Sequence, residues 1–203
     1  MSPLKCISAL FLLMMLSCTD GVSSYETSGE SSIPKGAVVH PYDDLPGRSR
    51  VMLYQNGKII GEGDYLNGQP EGAWTEYDPQ SNVVVKVTNY LGGKKHGVEL
   101  VFDGRNGQLK SKQTYYQDVL HGQLLTFKSR KVEEEKNYAS GQLEGMARKF
   151  YPNGSVLEEA PYSNGVIHGT AKWFDESGNL TIQYEYENGQ FISDTTPPKT
   201  EGE

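Results

Sequence analysis

A tyrosine returns every 23 to 25 residues through most of this chain, at Tyr65, Tyr90, Tyr115, Tyr138, Tyr162 and Tyr186. Other positions keep step with it. Seven residues after the first five tyrosines stands a glycine (Gly72, Gly97, Gly122, Gly145, Gly169), and Ser193 closes the sixth copy. Twelve residues after them stands an aromatic (Tyr77, Phe102, Phe127, Phe150, Phe174). Six residues before each tyrosine stands an aliphatic (Ile59, Val84, Leu109, Val132, Val156, Leu180). Four positions held in register over six copies of about 24 residues describe one supersecondary unit, stacked repeatedly so that neighbours bury one another.

Turn chemistry identifies the unit. Asn-Gly occurs at Asn56-Gly57, Asn67-Gly68, Asn106-Gly107, Asn153-Gly154, Asn164-Gly165 and Asn188-Gly189. Both residues tolerate the positive φ of a tight hairpin turn. Between the turns fit two short strands per copy, and no window is long enough for a periodic helix. The 23 Gly and 13 Tyr suit many turns joining aromatic strands. The expected fold is all-β, an elongated antiparallel β-meander of about six tandem hairpin repeats in a single-layer twisted sheet. Because six is an even spacing, the aliphatic and the tyrosine of each copy are expected on one face. Between Phe127 and Tyr138 the unit is shorter and its turn lacks glycine. A tightened or irregular turn is expected there, with Glu133-Glu134-Glu135 in solvent.

These residues resemble the variant MORN repeat of bacterial proteins, which runs G-x-W-x-x-Y-x-x-N-G-x-L and later Y-x-N-G-x-x-x-G. Gly72-Ala73-Trp74-Thr75-Glu76-Tyr77 matches the opening. Phe150-Tyr151-Pro152-Asn153-Gly154-Ser155-Val156-Leu157 and Tyr162-Ser163-Asn164-Gly165 match the middle and end. The resemblance covers roughly Val51 to Ile192, within a repeat domain drawn at 49–193. It implies an elongated meander used for interaction, with some members described as antitoxin-like.

The first residues carry a different signal. Lys5 precedes an apolar stretch from Cys6 to Leu16, too short for a membrane span of roughly 20 residues but suited to the apolar region of a signal peptide. Met15-Leu16-Ser17-Cys18 resembles a bacterial lipobox, with Met15 where that pattern has Leu. The expectation is a signal peptide over 1–17 and lipidation at Cys18, a palmitate-type membrane anchor. An ordinary secretory signal cleaved nearby is the alternative. The address implied is the bacterial cell envelope, at the outer membrane, with the membrane reached through the N-terminal lipid only. The other cysteine, Cys6, lies in the segment to be removed, so no intramolecular disulfide is expected. Residues 18–48 read as a lipidated, disordered tether, from runs such as Ser28-Gly29-Glu30-Ser31-Ser32, and 194–203 as a disordered tail.

The charge balance, 26 acidic against 19 basic residues, repels phosphate backbones and argues against nucleic acid. His96, His121 and His168 each precede a repeat glycine, where Glu71 and Glu144 stand in other copies. Equivalent positions lie two strands apart, roughly 9–10 Å, so neighbouring copies cannot share one zinc at roughly 2 Å. The histidines read as polar turn residues, and no metal or cofactor is expected. No metalloprotease, nucleophile-elbow or P-loop string occurs, and Gly61-Glu62-Gly63 is no dinucleotide loop. No catalytic residue is assigned.

Aromatic residues outside the tyrosine row form the candidate binding surface: Trp74, Trp173, Tyr54, Tyr151 and Tyr184. The resulting expectation is a non-enzymatic envelope lipoprotein whose repeat sheet is a scaffold for a protein partner, a basic one given the acidic balance. Alternatives are a cell-wall or polysaccharide-binding module and an antitoxin or immunity-like protein sequestering a toxic partner.

Overall fold

The computed structural model describes residues 32–197. Among these residues the first strands are β1 (Val38–Pro41), β2 (Arg48–Gln55), β3 (Lys58–Leu66), β4 (Gln69–Tyr77) and β5 (Val84–Leu91). It continues with β6 (Lys94–Phe102), β7 (Leu109–Tyr116), β8 (Val119–Lys128), β9 (Lys131–Ala139), β10 (Gln142–Leu143) and β11 (Gly145–Phe150). The last elements are β12 (Val156–Ser163), β13 (Val166–Ile167), β14 (Gly169–Phe174), β15 (Leu180–Glu187) and β16 (Gln190–Asp194). All sixteen form one open antiparallel sheet in meander order, with the short β10 and β13 paired to β9 and β12. The all-β repeat meander is thus the architecture.

In every copy an aromatic sits across the hairpin from an aliphatic. The six pairs are Tyr54 with Ile59, Tyr77 with Val84, Phe102 with Leu109, Phe127 with Val132, Phe150 with Val156 and Phe174 with Leu180. Just beside each pair the register slips by one residue, leaving Ile60, Val85, Lys110, Glu133, Leu157 and Thr181 unmatched. A β-bulge of this kind breaks the alternation of side chains. The even spacing from aliphatic to tyrosine therefore fails to place both on one face, a correction to the sequence expectation. The tyrosine face carries Tyr65 beside Pro70 and, farther along, Tyr186 beside Phe191. Tyr77 lies on the opposite face, where its hydroxyl donates to Glu62 at 2.6 Å.

The repeat glycines have a second, separate cause. Gly72, Gly97, Gly122, Gly145 and Gly169 all have positive φ, from 75° to 102°. Another residue there would bear a left-handed backbone costing roughly 1–2 kcal/mol. Beside these glycines the copies are stapled together. A backbone N–H in the turn of each following copy donates to the carbonyl two residues before the glycine. The pairs are Gly93 to Pro70, Asp118 to Lys95, Gly141 to Leu120, Gly165 to Leu143 and Gly189 to Ile167, at 2.8–3.1 Å.

Four Asn-Gly turns have both residues at positive φ, at Asn56, Asn67, Asn164 and Asn188 with their glycines. At Asn106-Gly107 and Asn153-Gly154 only the glycine does, because these pairs sit within longer loops. The short turn is Ser129-Arg130, tight as expected and with both φ values positive. Of the three glutamates after it, only Glu133 is exposed. Glu134 pairs with Lys136 at 2.7 Å, and Glu135 accepts from Gln123 at 2.8 Å.

Among the described residues the buried apolar side chains are few: Val51, Tyr65, Trp74, Ala160 and Ala171. Part of the expected tether helps to cover the first three. The Ser32 amide and hydroxyl both donate to Gly68 O, Ile33 and Ala37 pack on the Val51–Tyr65–Trp74 cluster, and β1 pairs with β2. This corrects the tether boundary at 48: Ile33, Ala37, Val38 and Val39 bring apolar surface that the preceding serines lack. At the other end the strand runs through Asp194, and the Thr195 amide donates to Gln183 O. The signal segment 1–17, Cys18 and the end of the tail from 198 lie outside the described residues.

Candidate binding surfaces

The five aromatics expected at a surface occupy three different settings. Trp74 is in the core, 9% exposed, with its ring edge-on to Tyr65 at 5.8 Å. It lies so close over Gly61 and Gly63 that a Cβ on either would come within 2.9 and 2.7 Å of the indole. As a member of the binding surface it is therefore corrected. The signal was present in Gly61-Glu62-Gly63, two glycines facing one side of a neighbouring strand and leaving room for a large ring. Tyr54 is exposed at the first hairpin, its hydroxyl 3.6 Å from the Met52 sulfur. Tyr151 bridges copies, donating to Phe174 O at 2.9 Å.

Trp173 and Tyr184 do come together. Their ring centroids are 5.5 Å apart, and Phe191 stands edge-on to Tyr184 at 5.4 Å and to Tyr186 at 6.0 Å. Trp173 pairs across the strands with Ile182, and Ala171, which is fully buried, with Tyr184. Ile182 and Phe191 are exposed, as is Ile192. The result is an aromatic platform at the C-terminal end of the tyrosine face. Sequence reasoning missed Phe191, whose signal was an aromatic two residues after Gly189 of the last hairpin turn. The same face is covered by Ile33 and Ala37 at the N-terminal end.

Between these ends the face turns polar. Glu99 stands at the repeat position of Trp74 and is 3% exposed. Its carboxylate accepts from Thr88 at 2.8 Å, from Lys95 at 2.7 Å and from Gln113. Burial alone pushes this carboxyl up, but the three hydrogen bonds and the Lys95 charge outweigh it and hold it below the ordinary value. Lys95 Nζ also lies 4.7 Å from the centre of the Tyr115 ring. Other charges pair across neighbouring strands: Lys149 with Glu158, and, on the opposite face, Arg50 with Glu62 and Asp64. Asp103 sits at a loop, where the Arg105 amide and then Lys110 hold its carboxyl down at about 2.

The polar residues before the repeat glycines serve the staples. Glu71 accepts from the Gly92 amide at 2.8 Å and Glu144 from Asn164 at 2.9 Å. His121 Nδ1 accepts from Ser140 and His168 Nδ1 from Asn188, both at 3.3 Å. His and Glu share this position because both offer an acceptor of similar reach. His96 instead packs against Tyr116, with ring centroids 5.2 Å apart. Among the described residues, no three His, Cys, Asp or Glu are grouped to hold a metal ion, and no helix is long and apolar enough to cross a membrane.

The MORN repeat variant family matches residues 143–164 and 167–188. No curated protein matches the sequence. A mutant of S. aureus TarM, crystallised in complex with Fondaparinux, alpha-GlcNAc-glycerol and UDP, is similar over 48% of this chain and 20% of that one, at 15% identity and TM-score 0.35. A second TarM crystal structure is similar over 48% and 19%, at 16% identity and TM-score 0.35. The chain spans about one fifth of the length of these proteins, a likeness too distant to carry any argument. The family matches fall on β10 to β15, and the bulges and turn-to-turn bonds of those copies recur in the copies before them. Residues 143–164 and 167–188 are thus two tandem units similar to the MORN repeat variant.

Proposed function

We propose that the protein is a non-enzymatic envelope lipoprotein whose repeat sheet holds a protein partner on the C-terminal end of its tyrosine face. One observation carries this reading: Trp173, Tyr184, Tyr186 and Phe191 cluster at the end of that face which no other segment covers among the described residues. Exposed apolar patches mark interaction surfaces, and aromatic anchors supply much of the affinity at protein interfaces. The net charge of −7 favours a basic partner, whose binding weakens as salt rises. The Leu16-Ser17-Cys18 segment supports a lipid anchor in the bacterial envelope.

Crosslinked affinity capture from the native envelope tests both parts. Wild-type chain is expected to retain one protein at a fixed ratio, and Tyr184→Ala with Phe191→Ala to lose it. Capture unchanged by that double substitution would exclude the platform. Cys18→Ala is expected to leave the membrane fraction, and its retention there would exclude the lipid anchor. If the rings instead stack on a polysaccharide, binding will be nearly insensitive to salt and Trp173→Ala will abolish it.

A further inference from the structure

The opposite face has a recess that the platform reading does not use. Most copies join the aromatic to its aliphatic by a longer loop, such as Asp103–Gln108 and Tyr151–Ser155. Between those two loops the connection shortens to the tight turn at Ser129-Arg130. Where the shorter turn falls back, a hollow of about 440 Å³ opens, walled by Val132, Phe150, Tyr151 and Pro152. A second hollow of about 460 Å³ shares Lys131, Val132 and Phe150 with it and adds Leu125, Gln123 and Glu135. The space suits a small organic ligand rather than a folded domain.

Two cations, Lys128 and Lys131, line the first hollow beside a single carboxylate, Glu133, and Arg130 stands between them in the short turn. Lys128 meets only an exposed Glu133 at 3.5 Å, a pairing of little strength in solvent. Lys131 donates to the Pro152 carbonyl, and no ion pair engages Arg130 among the described residues. Ser129 and Arg130 have φ of 51° and 66°, the conformation that Asn56-Gly57 adopts in the first copy and that Gln117-Asp118 also adopts.

We infer that this recess binds a small organic anion, an apolar ring bearing a carboxylate, sulfonate or phosphate group. The ring lies against Val132, Phe150 and Tyr151, and the acid group meets the cations of the short turn. The site is distinct from the C-terminal platform, and its test does not depend on a protein partner.

Two fluorescent dyes form the test: 8-anilinonaphthalene-1-sulfonate and its uncharged counterpart N-phenyl-1-naphthylamine, titrated into the full chain. The sulfonate is expected to bind saturably and at least ten-fold more tightly than the neutral dye, and more weakly as salt rises. Lys128→Gln, Arg130→Gly and Lys131→Gln together are expected to lower the sulfonate's affinity at least ten-fold, with circular dichroism and the thermal midpoint reporting an intact fold. Comparison with this variant cancels dye held elsewhere on the chain. Absence of saturable sulfonate binding, equal binding of both dyes, or affinity unchanged in the variant would each overturn the site.

Discussion

Trp74 is the largest side chain in a small core, so Trp74→Ala should cost about 3–5 kcal/mol in urea unfolding. Trp173→Ala, on the platform, should cost much less. A similar loss at the two positions would contradict their different settings. Gly63→Ala should destabilise by crowding the indole from the opposite strand, where a Cβ meets the ring at 2.7 Å. Sequence alone marked both tryptophans as large aromatics off the tyrosine row, but their difference depends on what stands across the strand. Trp74 faces glycine, which admits its ring, while Trp173 faces Ile182 and pairs with Glu158 on its other side. Asp103 provides a pH test at the same scale. Its carboxyl is held at about 2 from an ordinary 3.8, so its ionised form stabilises the fold above about pH 4. That contribution is lost as pH falls toward 2. Asp103→Asn should therefore lower stability at neutral pH and make little difference at pH 2, measured by denaturant midpoint at each pH.

The hairpin is the element that sequence described best and its register the part it missed. Turn dipeptides and spacing located the strands, because glycine and asparagine tolerate positive φ at fixed places. The bulges beside each aromatic–aliphatic pair left no such mark: the unmatched residue is Ile, Val, Lys, Glu, Leu or Thr in different copies. A spacing of six therefore looked even when one residue of it lay outside the pairing. His121 and His168 are also explained at this scale, as acceptors for the next turn. His168→Ala should cost about 1 kcal/mol, and His168→Glu should recover most of it, since Glu71 and Glu144 accept the same bond elsewhere. Replacing Ser129-Arg130 by Asn-Gly should stabilise by roughly 0.5–1 kcal/mol, the relief of left-handed strain offset by the added freedom of glycine when unfolded. A raised urea midpoint at unchanged slope is the expected reading.

Across the whole molecule the two ends of the sheet differ. The first copies are covered by residues 32–37, which sequence placed in the tether because their few apolar side chains follow a long polar run. The last copies present Trp173, Tyr184, Tyr186 and Phe191 without such a cover among the described residues. Repeat arrays need terminal units that protect their ends from solvent, and here that protection is clearest at the N-terminal end. A partner seated on the aromatic platform would complete the other. The most direct measurement is photocrosslinking in the native envelope, with benzoylphenylalanine placed at Phe191 in one chain and at Tyr54 in another. The scaffold reading predicts one discrete protein adduct from position 191 and none from position 54. Equal adducts from both positions, or none from position 191, would contradict it.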